Sequence, residues 1–106
     1  MIEEDRWFIE ETLPNNLIVR CSKEYWDKIV KIKHPSMKNR LDDIKATLRD
    51  PDEIRVSKLI KDRILIYKQI GDGYICVVAL TRENDLLITT TYFTQKVKEG
   101  EIIWKN

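Results

Sequence analysis

The spacing of hydrophobic residues changes near residue 50, and this change constrains the fold more than any other feature of the sequence. Before Asp50, hydrophobic residues recur three or four positions apart, as on one side of an α-helix. They are Met37, Leu41, Ile44 and Leu48. After Asp50, apolar residues alternate with polar ones or form short β-branched runs, which are typical of strands. The sequence therefore predicts an α+β fold, with helices packed on one face of a sheet.

The residues before Met37 predict a β-hairpin and a first helix. Two short apolar runs flank Pro14, which is followed by two asparagines, a sequence typical of a turn. Ser22 is a suitable N-cap for the helix that follows. That helix is predicted from apolar residues at helical spacing, with Trp26 and Val30 beside them. The spaced residues are Tyr25, Ile29 and Ile32.

The two predicted helices meet at His34 and Pro35. A proline disfavours the helical conformation of the residue before it, so His34 is expected to be extended. Pro35 suits the first turn of the second helix. Asp50 and Pro51 end that helix for the same reason.

The rest of the chain predicts an antiparallel meander. β-branched and aromatic residues are concentrated in 63–70, 73–81 and 86–94, and residues 53–57 alternate in polarity. The segments that join the last three have hairpin length and contain turn residues. The sequence leaves open whether 101–105 adds a last strand.

Composition excludes several classes of protein. The 106 residues suit one domain covering 1–106, and a formal net charge of +1 gives no bulk argument for nucleic acid or membranes. No run approaches the roughly 18 apolar residues of a membrane helix, and the start has no signal-peptide pattern. We therefore expect a cytoplasmic protein without a membrane partner.

Metal and cofactor chemistry is poorly supplied. The chain has one histidine and two distant cysteines, Cys21 and Cys76, which make no zinc site. Both cysteines are predicted to be buried thiols, although a disulfide between them stays open. Adjacent carboxylates occur at 42–43 and 52–53, on expected helix and loop surfaces. We predict no cofactor and no metal.

The strand at 86–94 carries an unusual row of hydroxyl groups. Alternation places Thr90, Tyr92 and Thr94 on one face, together with Ile88. The other face would hold Leu87, Thr89, Thr91 and Phe93. Hydroxyl donors beside lysines can hold a phosphate oxyanion, and two lysines, Lys96 and Lys98, follow the row. Threonine is also a good strand former, so an ordinary half-exposed strand stays open.

His34 has two interpretations. A lone histidine often caps a helix or lies at the edge of a core. Histidine side chains as a class change charge near neutral pH, which suits acid–base catalysis, and connections between helices often carry function. Cations on or beside strands could grip a phosphate; the candidates are Arg55, Arg63 and Lys68.

These segments, in this order, resemble the phage-associated branch of the barnase–EndoU–colicin–RelE-like nuclease superfamily, PBECR. The resemblance runs from about Ser22 to Trp104. Its most specific parts are the Lys33-His34-Pro35 step and the "L-x-x-P-D-x-I" helix exit at 48–54. The third part is the threonine–tyrosine strand, followed by "K-x-G-x-x-I-W" at 98–104.

The resemblance implies two helices on a four-stranded antiparallel sheet and metal-independent cleavage of RNA, in which the ribose 2′-OH attacks the adjacent phosphorus. His34 matches the family's histidine, and Thr90 and Tyr92 match its "T-A-Y" pattern, with Thr91 in place of the alanine. These three residues are the expected catalytic set. The expected phosphate or RNA ligands are Lys33, Arg63, Lys68, Thr94 and Lys98.

The expected partners are RNA and, for an enzyme of toxin type, an immunity or antitoxin protein. We expect a monomer or a weak homodimer, with the edge strand at 101–105 as the route to a dimer. The alternative function is a non-catalytic or degenerate domain of the same fold that binds protein or nucleic acid. The modest net charge favours this alternative.

Overall fold

Seven strands form one mixed sheet in the computed structural model, which describes residues 7–97 and 99–106. The strands are β1 (Ile9–Thr12), β2 (Ile18–Cys21), β3 (Glu53–Val56), β4 (Arg63–Ile70), β5 (Gly73–Thr81), β6 (Leu86–Thr94) and β7 (Glu101–Lys105). Their order across the sheet is β1-β2-β6-β5-β4-β3-β7. The α+β fold, the N-terminal hairpin and the meander β4-β5-β6 are therefore confirmed.

The expectation of a purely antiparallel, four-stranded sheet is wrong. β2 joins β6 in parallel through two residue pairs, Val19 with Leu86 and Arg20 with Leu87. β7 extends the opposite edge by pairing with β3. The hairpin and the last strand thus add to the meander instead of lying apart from it.

The helical segment follows β2 and is less regular than predicted. Helix α1 (Lys23–Lys28) begins as expected at Ser22, whose hydroxyl accepts a hydrogen bond from the backbone N–H of Tyr25 at 3.1 Å. A π-helical turn (Ile29–Lys33) continues it and closes with the His34 N–H donating to the Ile29 carbonyl at 2.8 Å. This wider turn rotates Ile32 out of the helical stripe, and its side chain is 74% exposed.

The second helix begins later than predicted. Pro35–Met37 forms one 3₁₀ turn, and helix α2 spans Leu41–Arg49. Between the π-helical and 3₁₀ turns, His34 leaves the helical conformation as predicted, but with φ −144° and ψ 79° it is not fully extended. We call the segment 29–37 the helix joint.

The core lies between the helices and one face of the sheet, and the opposite face is open. Ile44 and Leu48 of α2 pack on buried residues of the central strands, among them Ile66 and Val77. The open face carries a second, smaller cluster, formed by Leu65, Tyr67, Cys76 and Val78. No helix among the described residues is long and apolar enough to cross a membrane.

Both cysteines are buried free thiols, as predicted, and no disulfide joins them. Burial raises the pKa of the Cys21 thiol to about 12. Cys21 is therefore a packing residue at neutral pH.

Candidate functional site

A bulge in β6 sets the direction of the hydroxyl row. Val78 of β5 pairs with Thr90, but its neighbour Ala79 pairs with Ile88, so Thr89 is the extra residue. Because one inserted residue reverses the alternation of side chains, Ile88 faces the core and Thr90 faces the open side. The prediction that Ile88 shares the face of Thr90 is wrong for this reason.

The same bulge separates Leu87 from Thr91, which were predicted to share a face. Leu87 pairs with Leu80, whereas Thr91 pairs with the core residue Val77. The row Thr90, Tyr92 and Thr94 itself stays together, because it lies wholly beyond the bulge.

The helix joint is anchored to the bulge by hydrogen bonds. The Thr89 carbonyl accepts from the Tyr25 hydroxyl at 3.0 Å and from the Lys33 ammonium at 2.9 Å. Lys33 also donates to the Tyr25 hydroxyl at 2.8 Å. These bonds hold the joint against the part of β6 that extends past its short pairing with β2.

His34 reaches the hydroxyl row from this joint. Its ring lies against the ring of Tyr92, with 5.7 Å between the centroids and a tilt of 43°. The side chain is half-buried. Within the described residues, no hydrogen bond ties the His34 imidazole to another side chain or to the main chain. The imidazole thus lies beside Tyr92, the middle residue of the row.

A cavity of about 560 Å³ opens on this face, and we call it the central cavity. Its polar lining residues are Lys33, Ser57, Arg63, Tyr67, Thr89, Thr90, Tyr92 and Glu99. Leu65 and Val78 lie among its apolar lining residues. A volume of this size suits a small ligand or one nucleotide unit.

The Thr90 hydroxyl is buried and makes no hydrogen bond to any described residue. Its neighbour Thr91, which faces the core, donates to the Cys76 carbonyl at 2.8 Å. Buried hydroxyls are usually satisfied, because leaving one unpaired costs free energy. An unpaired donor that lines a cavity points to a ligand with an acceptor oxygen.

Tyr92 is suited to donate a hydrogen bond and not to accept a proton. Burial raises the pKa of its hydroxyl well above the ordinary value, and interactions with Cys76 and Tyr67 raise it further. The phenol therefore stays protonated at any physiological pH.

The predicted cations divide into two groups. Arg63 and Lys33 line the central cavity, and the Arg63 guanidinium donates to the Lys61 carbonyl at 3.2 Å. Lys68 lies elsewhere: its ammonium donates to the Asp50 carbonyl at 2.9 Å, at the end of α2.

Two further predicted ligands do not line the cavity. The Thr94 hydroxyl donates to the Lys96 carbonyl at 3.1 Å, at the end of β6. Lys98 falls outside the described residues. The structure thus brings Thr90 and Tyr92 together with Arg63 and Lys33 at the central cavity, and it separates Lys68 and Thr94 from them. His34 contacts Tyr92 but is not among the residues that line the cavity.

Sequence reasoning missed two residues at the cavity, Glu99 and Ser57. The Glu99 carboxylate accepts from the Ser57 hydroxyl at 2.6 Å and from the Lys58 backbone N–H at 2.8 Å. The only sequence signal for Glu99 was its position beside Gly100, and no spacing rule links it to a serine 42 residues away. Among the described residues, no three potential ligands form a metal-binding group.

No protein-family model, curated protein or solved structure matches this chain.

Proposed function

We propose that the protein is a metal-independent endoribonuclease of the toxin or phage-associated type, with a barnase/RelE-like arrangement and the PBECR family as its relatives. One observation carries the proposal. The His34 ring lies 5.7 Å from the ring of Tyr92, and Tyr92 lines the central cavity together with the unpaired Thr90 hydroxyl, Arg63 and Lys33. This set combines a proton carrier, two hydroxyl donors and two cations.

The set fits the requirements of RNA transesterification. The ribose 2′-oxygen bonds to the adjacent phosphorus and the bond from phosphorus to the 5′-oxygen breaks. A base takes the proton of the 2′-OH, and an acid gives one proton to the leaving 5′-oxygen. His34 acts as general acid or base, and the Glu99 carboxylate is the complementary group at the cavity. Thr90 and Tyr92 donate to the phosphorane oxygens, and Arg63 and Lys33 balance its charge.

The test is cleavage of mixed RNA in EDTA by the wild type and by His34→Ala. A matched control is Ser36→Ala, an exposed residue of the same joint that does not line the cavity. We expect His34→Ala to lose about 10²–10⁴-fold in rate and Ser36→Ala to keep the wild-type rate. Intact RNA in all three reactions would contradict the proposal.

A second candidate is a non-catalytic domain that uses the same cavity to bind protein or nucleic acid. Leu59 and Ile60, at the cavity, are 79% and 54% exposed, which favours an apolar protein partner there. For a toxin-type enzyme, that partner would be an immunity protein that covers the cavity. RNA that binds but stays intact would favour this second function.

A further inference from the structure

A second cavity, of about 440 Å³, lies beside the short parallel junction of β2 and β6. We call it the β2–β6 cavity. Its lining includes two aromatic rings, two leucines and the bulge residue, namely Trp7, Tyr25, Leu80, Leu87 and Thr89, together with Arg20. Neither the hydroxyl row nor His34 lines it.

The charge of this cavity differs from that of the central cavity. Arg20 is the charged residue among its described lining residues, and its guanidinium is already paired with Glu10 at 2.7 Å and with Asp85 at 3.0 Å. The same guanidinium lies 5.5 Å from the centre of the Trp7 ring. A phosphate would therefore find no unpaired cation here, whereas a flat, uncharged aromatic ring would find apolar and aromatic walls.

The two cavities are adjacent at the bulge. Thr89 lines both, and the Lys33 ammonium of the central cavity bonds to the Tyr25 hydroxyl of the β2–β6 cavity at 2.8 Å. We propose that the β2–β6 cavity binds the nucleobase next to the phosphate that occupies the central cavity. This inference rests on the proposed function, because it takes RNA as the ligand.

The experiment measures binding without cleavage. The probe is a fluorescein-labelled 2′-O-methyl oligoadenylate of four nucleotides, which lacks the 2′-OH nucleophile. The comparison is an abasic strand with the same phosphates. We expect the base-bearing strand to bind the wild type about tenfold more tightly, because stacking on aromatic side chains adds to the phosphate contacts.

Leu87→Trp fills the β2–β6 cavity and should abolish this difference while leaving the abasic strand bound as before. Leu17→Trp is the matched control, because Leu17 is 40% exposed and does not line the described cavities. Trp7→Ala should act like Leu87→Trp, with Trp7→Phe keeping most of the difference, so the test survives if one variant fails to fold.

Equal binding of the two strands by the wild type would overturn the inference. So would a base-dependent difference that both Leu87→Trp and Trp7→Ala leave intact. If the difference exists and is lost in these variants, the base site stands, even if the RNA of the EDTA experiment stays uncut and the proposed cleavage fails.

Discussion

At the scale of single residues, two adjacent threonines of β6 show how the site differs from the core. Thr91 is fully buried and its hydroxyl is paired with the Cys76 carbonyl, so it contributes to stability. The Thr90 hydroxyl is buried without a described partner, so it lowers stability until a ligand accepts a hydrogen bond from it. A buried polar group that lowers stability in this way is expected at functional positions.

Replacing Thr90 with valine, which has nearly the same shape, separates these effects. We expect the free energy of unfolding to stay unchanged or to rise by up to about 1 kcal/mol, since an unpaired buried hydroxyl is removed. RNA cleavage should fall by about 10²-fold, since a donor to the phosphorane is lost. Urea denaturation and initial rates measure the two quantities.

Thr91→Val is the matched control on the other face of the strand. It should lose about 1 kcal/mol of stability, because the Cys76 carbonyl loses its hydroxyl partner, and should keep its activity. The opposite pattern, with Thr90→Val unstable and active, would show that the Thr90 hydroxyl is structural.

Tyr92 provides a test through pH. Because burial raises the pKa of its hydroxyl, the group stays protonated across the accessible range and acts only as a donor. Tyr92→Phe keeps the ring against His34 and should lower the cleavage rate by about 10²-fold, by the same factor at every pH from 5 to 9. If the cleavage rate of the wild type fell at alkaline pH and that of Tyr92→Phe did not, the tyrosine would be shown to titrate.

The sequence predicted the chemistry of individual residues better than their positions. His34, Thr90 and Tyr92 came from residue type, local alternation and family resemblance, and the structure brings them together. Alternation along β4 places Arg63 and Lys68 on opposite faces, but the sequence does not show which of these faces lies beside the hydroxyl row. Glu99 depends on a contact 42 residues away in the chain.

At the scale of elements, the helix joint and the bulge determine where the imidazole points. The joint was predicted as the end of one regular helix, a break at His34 and the start of a second, but a π-helical turn precedes His34 and a 3₁₀ turn follows it. Hydrophobic spacing cannot show a one-residue change in winding, because the apolar residues on either side keep their order. The bulge at Thr89 was missed for the same reason.

Pro35→Ala tests the joint. Without the proline, His34 regains the helical conformation, and the unfolded chain gains freedom. We expect a loss of about 0.5–1 kcal/mol in the free energy of unfolding and a larger relative loss of kcat, with KM little changed. Denaturation and steady-state kinetics measure these values. Unchanged kcat would show that the proline does not orient the imidazole.

At the scale of the whole molecule, the junction of β2 with β6 joins the N-terminal hairpin to the meander. Two residue pairs make the parallel contact, and Asp85 reinforces it. The Asp85 carboxylate is 3% exposed and binds the guanidiniums of Arg82 and Arg20 at 2.7 and 3.0 Å. The sequence could not predict this parallel pairing, because its partners are far apart and strand patterns do not specify neighbours.

Asp85→Asn should therefore destabilise the protein at pH 7 by about 2 kcal/mol, because a buried carboxylate with two ion-pair partners is lost. The two arginines are partly exposed to solvent, which limits the loss. The hydrogen bond from Arg82 is the main cause that lowers the pKa of Asp85, with a second from Arg20. A lowered pKa means that this stabilisation is complete above about pH 4 and is lost as the pH falls through the folded-state value.

The difference between the wild type and Asp85→Asn, measured by urea denaturation, should therefore shrink below about pH 4. Asp27→Asn is the control, because its exposed pair with Lys23 should leave stability unchanged. A difference that persists undiminished at the lowest pH would refute the electrostatic explanation.

The central claim is that His34 and the hydroxyl row promote attack by a ribose 2′-OH. The most direct measurement is cleavage, in EDTA, of a labelled DNA strand that contains one ribonucleotide. We predict that the wild type cuts only after the ribose and leaves a 2′,3′-cyclic phosphate, and that His34→Ala is at least about 10²-fold slower. Cutting at deoxynucleotides, or equal rates for both proteins, would contradict the claim.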